Sequence, residues 1–246
     1  LRGRMTRIAV VTGAAGGMGR AISDRLLSDG LQVIGVDIDG PALLTMAADR
    51  QGFAPEAVDL TDPDAITDLF DRLTEAHGGV DALVNNAGTC FMSGFPDIPA
   101  AELTRQMEIN FHSAFHCCQQ AVKAMAGRTG VRKIVNISSN GAYNFDVFDP
   151  PHYRASKAAM DTLTKDLARR YARDRIAVNS IAPAMTETPL FNVLTEDVLA
   201  KAISAMPHGH AMHPDEIAAW VGFLISPAGD VSSGNIIILN QGRDVR

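Results

Sequence analysis

Short apolar runs rich in β-branched residues alternate along the whole chain with longer stretches whose apolar positions recur at helical spacing. Unbroken apolar runs of this length suit strands buried on both faces of a parallel sheet. Seven are recognised: Arg7–Gly13, Leu31–Asp37, Ala54–Val58, Val80–Gly88, Val131–Ser139, Arg175–Pro183 and Asn235–Asn240. Between them the pattern predicts helices over Gly17–Gly30, Pro41–Arg50, Thr61–Gly79, Ala100–Ala126, the stretch from Pro150 to about Ala172, Glu196–Ala205 and Pro214–Ile225. Glycines close the first and third helices, and prolines stand in the first turns of the second and third, where a missing N–H costs nothing.

Strands that alternate with helices imply parallel βαβ units with right-handed crossovers. The expected fold is α/β, a doubly wound seven-stranded parallel sheet flanked by helices. No linker, repeat or low-complexity tract divides it, so residues 1–246 read as a single domain. Met5 reads as the natural start, with Leu1–Arg4 foreign to it. The longest irregular stretches are Asn140–His152 and Ala184–Thr195, and 184–213 reads as a substrate-loop region. Both emerge at the carboxyl ends of strands, where ligands sit in such sheets.

Composition narrows the classes. With 46% hydrophobic residues in 246, the chain can bury a large core. A net charge of −6 argues against a nucleic-acid partner. No apolar run reaches the roughly 20 residues of a membrane span, and no secretory leader is recognisable. Three cysteines, two of them adjacent (Cys117, Cys118), read as free thiols in a reducing compartment, so a cytoplasmic location is expected.

"VTGAAGGMGR" (Val11–Arg20) sets Gly13, Gly17, Met18 and Gly19 between the first strand and the first helix. Glycine permits the tight turn and lets backbone N–H groups approach a pyrophosphate, to which the helix N-terminus adds partial positive charge. Asp37 ends the second strand 18 residues after Gly19, near the roughly 20 expected of an acid that binds ribose hydroxyls. Such a carboxylate accepts from a 2′-OH and repels a 2′-phosphate. No Arg or Lys lies in Ala14–Met18 or Ile38–Gly40. The expected cofactor is therefore NAD rather than NADP.

"DPPHYRASKAAM" (Asp149–Met160) spaces Tyr153 and Lys157 by one helical turn, so they share a face. By itself that spacing is compatible with an ordinary helix. In company it is not: T-G-x-x-x-G-x-G (Thr12–Gly19), "NNAG" (Asn85–Gly88), a strand ending in "ISS" (Ile137–Ser139) and "YRASK" (Tyr153–Lys157) occur in an order and spacing that resembles the short-chain dehydrogenase/reductase family. The resemblance covers about Arg7 to Gly242 and implies a Rossmann fold. It further implies that Tyr153 is the general acid/base, that Lys157 holds the nicotinamide ribose and lowers the tyrosine pKa, that Ser139 hydrogen-bonds the substrate oxygen, and that Asn110 breaks its helix and holds a water for proton relay. Asn86, Ala87 and Gly88 would line the adenosine side. Asp59 and Leu60 would sit beside the adenine, and Pro183, Met185, Thr186 and Thr188 would meet the nicotinamide. A phenol with pKa near 10 is a poor base at pH 7 unless nearby positive charge favours the phenolate.

The chain departs from the family pattern in places. Ser139 precedes Tyr153 by 14 residues, one more than expected, so Ser138 and Asn140 compete for its role. Ala184 stands where glycine is usual, and "LNQG" (Leu239–Gly242) replaces Asp-Gly-Gly. Tyr143, Phe145, Phe148 and Phe191 fall in the two long loops and suit a substrate with a hydrophobic body. His112 and His116, one turn apart beside Cys117 and Cys118, read as helix packing rather than zinc ligands. The three histidines of "PHGHAMH" (Pro207–His213) read as a solvated loop, so no metal is expected.

The expected activity is hydride transfer between NAD(H) and a secondary alcohol or ketone. A 3-oxoacyl thioester reductase and a non-catalytic NAD-binding regulatory protein are the alternatives. The expected partners are a small-molecule substrate and, by the resemblance, further copies of the chain in a tetramer or dimer.

Overall fold

Seven strands form the sheet: β1 (Ile8–Thr12), β2 (Gln32–Asp37), β3 (Phe53–Ala57), β4 (Ala82–Asn85), β5 (Arg132–Ile137), β6 (Ile176–Pro183) and β7 (Ile236–Leu239). All pair in parallel, in the order β3-β2-β1-β4-β5-β6-β7, with the chain reversing its direction of travel between β1 and β4. The structure, a computed structural model, describes residues 6–144, 149–189, 191 and 194–244. The helices are α1 (Gly17–Ser28), α2 (Gly40–Asp49), α3 (Pro63–His77), α4 (Ala100–Met107), α5 (Ser113–Met125), α6 (Pro151–Arg170), α7 (Glu196–Ser204) and α8 (Pro214–Ile225). This is the doubly wound α/β arrangement that the alternation predicts. Among the described residues, no helix is long and apolar enough to cross a membrane.

The period-2 geometry of a strand divides the core into two layers. Ala9 and Val11 of β1 pack on one face of the sheet with Ile22 and Leu26 of α1, Leu43 and Met46 of α2, and Val221 and Leu224 of α8. Ile8 and Val10 pack on the other face with Ile66, Leu69 and Phe70 of α3 and Cys117, Ala121 and Met125 of α5. Every residue of β1, β4, β5 and β6 is buried, as a sheet covered on both faces requires.

The cross-strand register moves the third strand one residue earlier than predicted. Gly35 of β2 leaves room for the ring of Phe53, which a Cβ at position 35 would strike. Phe53 is therefore drawn into the ladder as the partner of Val33. A larger departure from the periodicity concerns the helix over Ala100–Ala126, in which the resemblance implies a break at Asn110. It is interrupted by a π-helical turn at Glu108–His112 that separates α4 from α5. Such turns insert a residue and mark functional sites in many helices.

The segment around Pro207–His213 is more ordered in its bonding than a plain solvated loop. Met212 bridges to Thr186 in parallel, and its N–H donates to Met185 O at 2.8 Å. His213 caps α8 in a reciprocal box with Glu216.

Candidate active site

The carboxyl ends of the strands carry two adjoining hollows. The first is a groove lined by Gly13, Gly17, Met18, Asp37, Asp59, Leu60, Asn86, Ala87, Gly88 and Thr188. The second is a cavity that includes Met18, Ser139, Tyr153, Pro183, Met185, Thr186, Thr188 and Phe191. Met18 and Thr188 line both, so the two are contiguous. The residues named from the glycine turn and from the tyrosine helix thus meet at one end of the sheet.

The groove is shaped by backbone that tolerates no side chain. Gly13 has φ +63°, and a Cβ on it would lie 2.8 Å from Ala87 Cα. A Cβ on Gly19 would strike Gly13 O, so Gly19 sits behind the groove and lets α1 start close to the turn. Thr12 Oγ1 accepts from Asn86 N (3.0 Å) and Ala87 N (3.1 Å), and Asn86 Nδ2 donates to Thr12 O and Gly13 O, both at 3.0 Å. These bonds lock the turn after β1 to the turn after β4.

Asp37 accepts from Ala15 N at 3.0 Å and Asp39 N at 3.1 Å, which aims its carboxylate at the glycine turn. Asp59 accepts from Thr61 N (2.9 Å) and Thr61 Oγ1 (2.7 Å), and those bonds hold its carboxyl below the usual carboxylate range. The groove is also lined by Arg105, Ile109 and Ser113, which the sequence did not single out. Arg105 precedes the π turn, Ile109 lies within it and Ser113 follows it, and only tertiary packing brings them there. Arg105 donates to Thr61 Oγ1 at 3.2 Å and to Glu108 at 3.4 Å.

In the cavity, α6 starts with Pro151 at its first turn and presents Tyr153 and Lys157 on one face. Lys157 is buried, its Nζ donates to Ile137 O at 2.8 Å, and it lies 6.0 Å from the Tyr153 ring centroid. Burial lowers its pKa to about 8, against the raising influence of Asp161. Tyr153 differs from expectation. Its phenol is held above the ordinary value by burial and by the Asp149 carboxylate, while a hydrogen bond from Ser139 works in the opposite direction. The Lys157 ammonium, 6.0 Å from the ring centroid, does not offset these influences in the protein alone.

The three candidates at the end of β5 are separated by their partners. Ser138 Oγ donates to Asp161 Oδ2 at 2.8 Å and to Lys157 O at 3.3 Å. Asn140 Nδ2 donates to Asp244 at 3.0 Å. Ser139 accepts from Gly141 N at 3.0 Å and contacts the Tyr153 hydroxyl, so it is the one of the three that faces the phenol.

Asn110 is fully buried at the centre of the π turn. Its Oδ1 accepts from Thr89 N (2.8 Å), and its Nδ2 donates to Thr89 O (2.9 Å) and Ser156 Oγ (3.0 Å). Ser156 Oγ donates in turn to Tyr153 O at 2.6 Å. Asn110 therefore ties the segment after β4 to the turn of α6 that holds the tyrosine. A point over Gly88 lies 3.4 Å from both Asn110 Oδ1 and Lys157 Nζ.

The four aromatic loop residues part company. Phe191 lines the cavity. Tyr143 donates its hydroxyl to Asp161 at 2.8 Å, on the network behind the cavity wall, and is not among the lining residues. Phe145 and Phe148 lie outside the described residues. The cavity is also lined by Cys90, Asp149 and Arg243, which sequence reasoning passed over. Asp149 was visible as an acid four residues before the tyrosine. Nothing local says that the intervening prolines turn it inward.

All three cysteines are free and buried, and burial pushes the thiols of Cys90 and Cys118 up to about 12. His116 Nδ1 pairs with Gln119 Oε1 at 3.1 Å. Among the described residues, no group of three or more His, Cys, Asp or Glu side chains could hold a metal ion.

Residues 13–244 match the family described as enoyl-(acyl carrier protein) reductase. The chain is 30% identical to the 3-oxoacyl-(acyl-carrier-protein) reductase FabG of Thermotoga maritima, over 96% of this chain and 97% of that one. It is 32% identical to the acetoacetyl-CoA reductase of Cupriavidus necator over the same shares. It is 34% identical to the cis-4-hydroxycyclohexanecarboxylate dehydrogenase of Sinomonas cyclohexanicum over 96% of each. Among solved structures, a short-chain dehydrogenase/reductase from Brucella melitensis superposes with a TM-score of 0.91 at 30% identity, covering 98% of this chain and 97% of the other. The Pseudomonas aeruginosa RhlG/NADP active-site complex gives 0.89 at 27% identity, covering 96% of each.

Proposed function

The chain belongs to the short-chain dehydrogenase/reductase family of oxidoreductases, and on that premise we propose that it transfers hydride between NAD(H) and a secondary alcohol or its ketone. The observation that carries the proposal is that Ser139 and Tyr153 line one cavity that adjoins a glycine-walled groove, with Lys157 buried 6.0 Å from the Tyr153 ring centroid. That groove fits a dinucleotide: its turn has no room for a Cβ at Gly13, and carboxylates stand along it at Asp37 and Asp59.

A bound nicotinamide cofactor supplies or accepts the hydride and, when oxidised, carries a positive charge on its ring. Lys157 would hold the ribose beside it. Ser139 donates to the substrate oxygen and polarises it. Tyr153 exchanges the proton with that oxygen: it donates during ketone reduction and accepts during alcohol oxidation. Its raised pKa keeps the phenol protonated, which suits the donor role directly. For oxidation, positive charge near the phenol has to bring its pKa toward the working pH. Asn110 would hold a water that relays the proton with Lys157. Pro183, Met185, Thr186 and Thr188 would cover the nicotinamide, with Asn86, Ala87, Gly88, Asp59 and Leu60 along the adenosine half.

Asp37 supports NAD over NADP. Its carboxylate faces the glycine turn, where it accepts from a ribose 2′-OH and repels a 2′-phosphate. The buried thiols fit a reducing, cytoplasmic setting, and the resemblance supports a homo-oligomer, a tetramer or a dimer.

A second reading, 3-oxoacyl thioester reduction, is favoured by the names of two relatives reported above. A screen of cyclic, aromatic and linear alcohols with NAD, run beside acetoacetyl-CoA with NADH and NADPH, separates the readings. Turnover of alcohols with NAD supports the proposal. Reduction of acetoacetyl-CoA alone supports the second reading, and cofactor binding with no turnover supports a regulatory protein.

A further inference from the structure

Asp149 brings a carboxylate to the wall of the cavity that holds Ser139 and Tyr153. It lies over the backbone of Gly141. A Cβ at that glycine would collide with Asp149 Oδ2 and would stand 3.2 Å from Ser139 Oγ. The carboxylate and the hydroxyl that faces the reacting oxygen are therefore side by side, a few ångströms apart, and Gly141 is what lets the acid come so close.

The charges around Asp149 leave it to the cavity. Arg154 is the cation that acts on it. That guanidinium donates Nε to the main-chain oxygen of Asp149 at 2.8 Å and Nη1 to Asn144 O at 2.5 Å. The cation that lines the cavity, Arg243, lies 3.8 Å from Asp244. Asp244 also receives the amides of Asn140 and Asn144, each at 3.0 Å. The positive charge on the wall is thus answered by a neighbouring acid. The carboxylate of Asp149 has no hydrogen bond or ion pair of its own among the described residues. A carboxylate so placed is stabilised by a donor that arrives with the ligand.

We propose that Asp149 is a specificity-determining residue that accepts a hydrogen bond from a donor on the carbon next to the reacting carbon. The substrate class is then a vicinal diol or amino alcohol, with the matching α-hydroxy or α-amino ketone, rather than a simple alcohol. A 3-oxoacyl thioester has no donor at that carbon. Burial raises the pKa of Asp149, the behaviour of an acid short of partners in the free protein. The inference rests on the dehydrogenase reading of the same cavity.

The test is kcat/KM with NAD for cyclohexane-1,2-diol, 2-aminocyclohexanol and cyclohexanol, in the full chain and in variants. The expected result is a preference of about tenfold or more for at least one donor-bearing alcohol over cyclohexanol, lost in Asp149→Ala. Asp149→Asn separates the two donors: it keeps an acceptor oxygen but no charge, so it should spare the diol and lower the amino alcohol. Gly141→Ala displaces the carboxylate without removing it and should reproduce the loss, which keeps the test intact if Asp149→Ala fails to fold. Equal ratios in the full chain, or ratios unchanged within twofold in all variants, while cyclohexanol is oxidised, would overturn the inference and leave the dehydrogenase reading standing. Reduction of acetoacetyl-CoA with no oxidation of any alcohol would overturn both.

Discussion

Lys157 Nζ donates to the main-chain oxygen of Ile137 at 2.8 Å, so the ammonium of α6 is fixed to the last residue of β5. Two residues further on is Ser139, and one helical turn back on α6 is Tyr153. A single bond between helix and strand thus fixes the spacing of the groups that would act on the substrate. It also buries a cation, which has a thermodynamic consequence.

The pKa of Lys157 in the folded protein is about 8, lowered by burial from the ordinary 10.5. Between these values the unfolded chain keeps the proton and the folded chain sheds it. Burial of the charged form therefore costs stability below about pH 8, and the cost is relieved as pH rises from 8 towards 10.5. Compared with Lys157→Met, the wild-type chain should gain on the order of 2–3 kcal/mol of relative stability between pH 7 and pH 10. Denaturant unfolding of both proteins at each pH measures it. A difference that stays flat over that range would contradict the burial argument.

Cofactor choice should turn on Asp37. Replacement by Ala removes an acceptor for the 2′-OH and the charge that repels a 2′-phosphate. The ratio of kcat/KM for NAD over NADP should fall by about tenfold to a hundredfold in Asp37→Ala, the range for one charged hydrogen bond. A preference that does not move towards NADP would refute the assignment, as would a wild-type enzyme that prefers NADP.

At the opposite end of the sheet, Asp81 accepts from Ile8 N at 2.7 Å and from both Nε and Nη2 of Arg128, with both residues buried. Arg128 also donates to His77 O and Thr6 O. Arg128→Ala leaves a buried carboxylate uncompensated and should cost about 3–5 kcal/mol of unfolding free energy. The site lies beyond the other ends of the strands, so kcat should stay within about twofold at a temperature where the variant is folded. Chemical denaturation and initial rates on the same preparation check both halves.

The fold was largely legible because each strand is an apolar run and each helix a periodic one, and both patterns are local. Tyr153 and Lys157 were legible for the same reason, as a spacing of one turn. What escaped depends on partners distant in sequence. The break at Asn110 was implied by the resemblance alone; the π turn at Glu108–His112 accompanies bonds from Asn110 to Thr89 and Ser156 that the periodicity of Ala100–Ala126 does not announce. The start of β3 is set by Gly35 accepting the ring of Phe53. The choice among Ser138, Ser139 and Asn140 was open in sequence because consecutive residues beyond a strand can each turn either way. Asp161 and Asp244 take two of them and leave Ser139 facing the phenol. Asp149 escaped because its place depends on a bare backbone at Gly141.

The most direct test of the account is Tyr153→Phe, read by two measurements on one preparation: NADH binding by fluorescence titration, and kcat for the best alcohol found with NAD. The variant keeps the ring and loses the hydroxyl that would exchange the proton. The account predicts NADH affinity within about threefold of wild type, with kcat down by roughly 10²–10⁴-fold, the range for a positioned acid/base. A kcat near that of the wild-type enzyme would contradict the assignment of Tyr153 as the general acid/base.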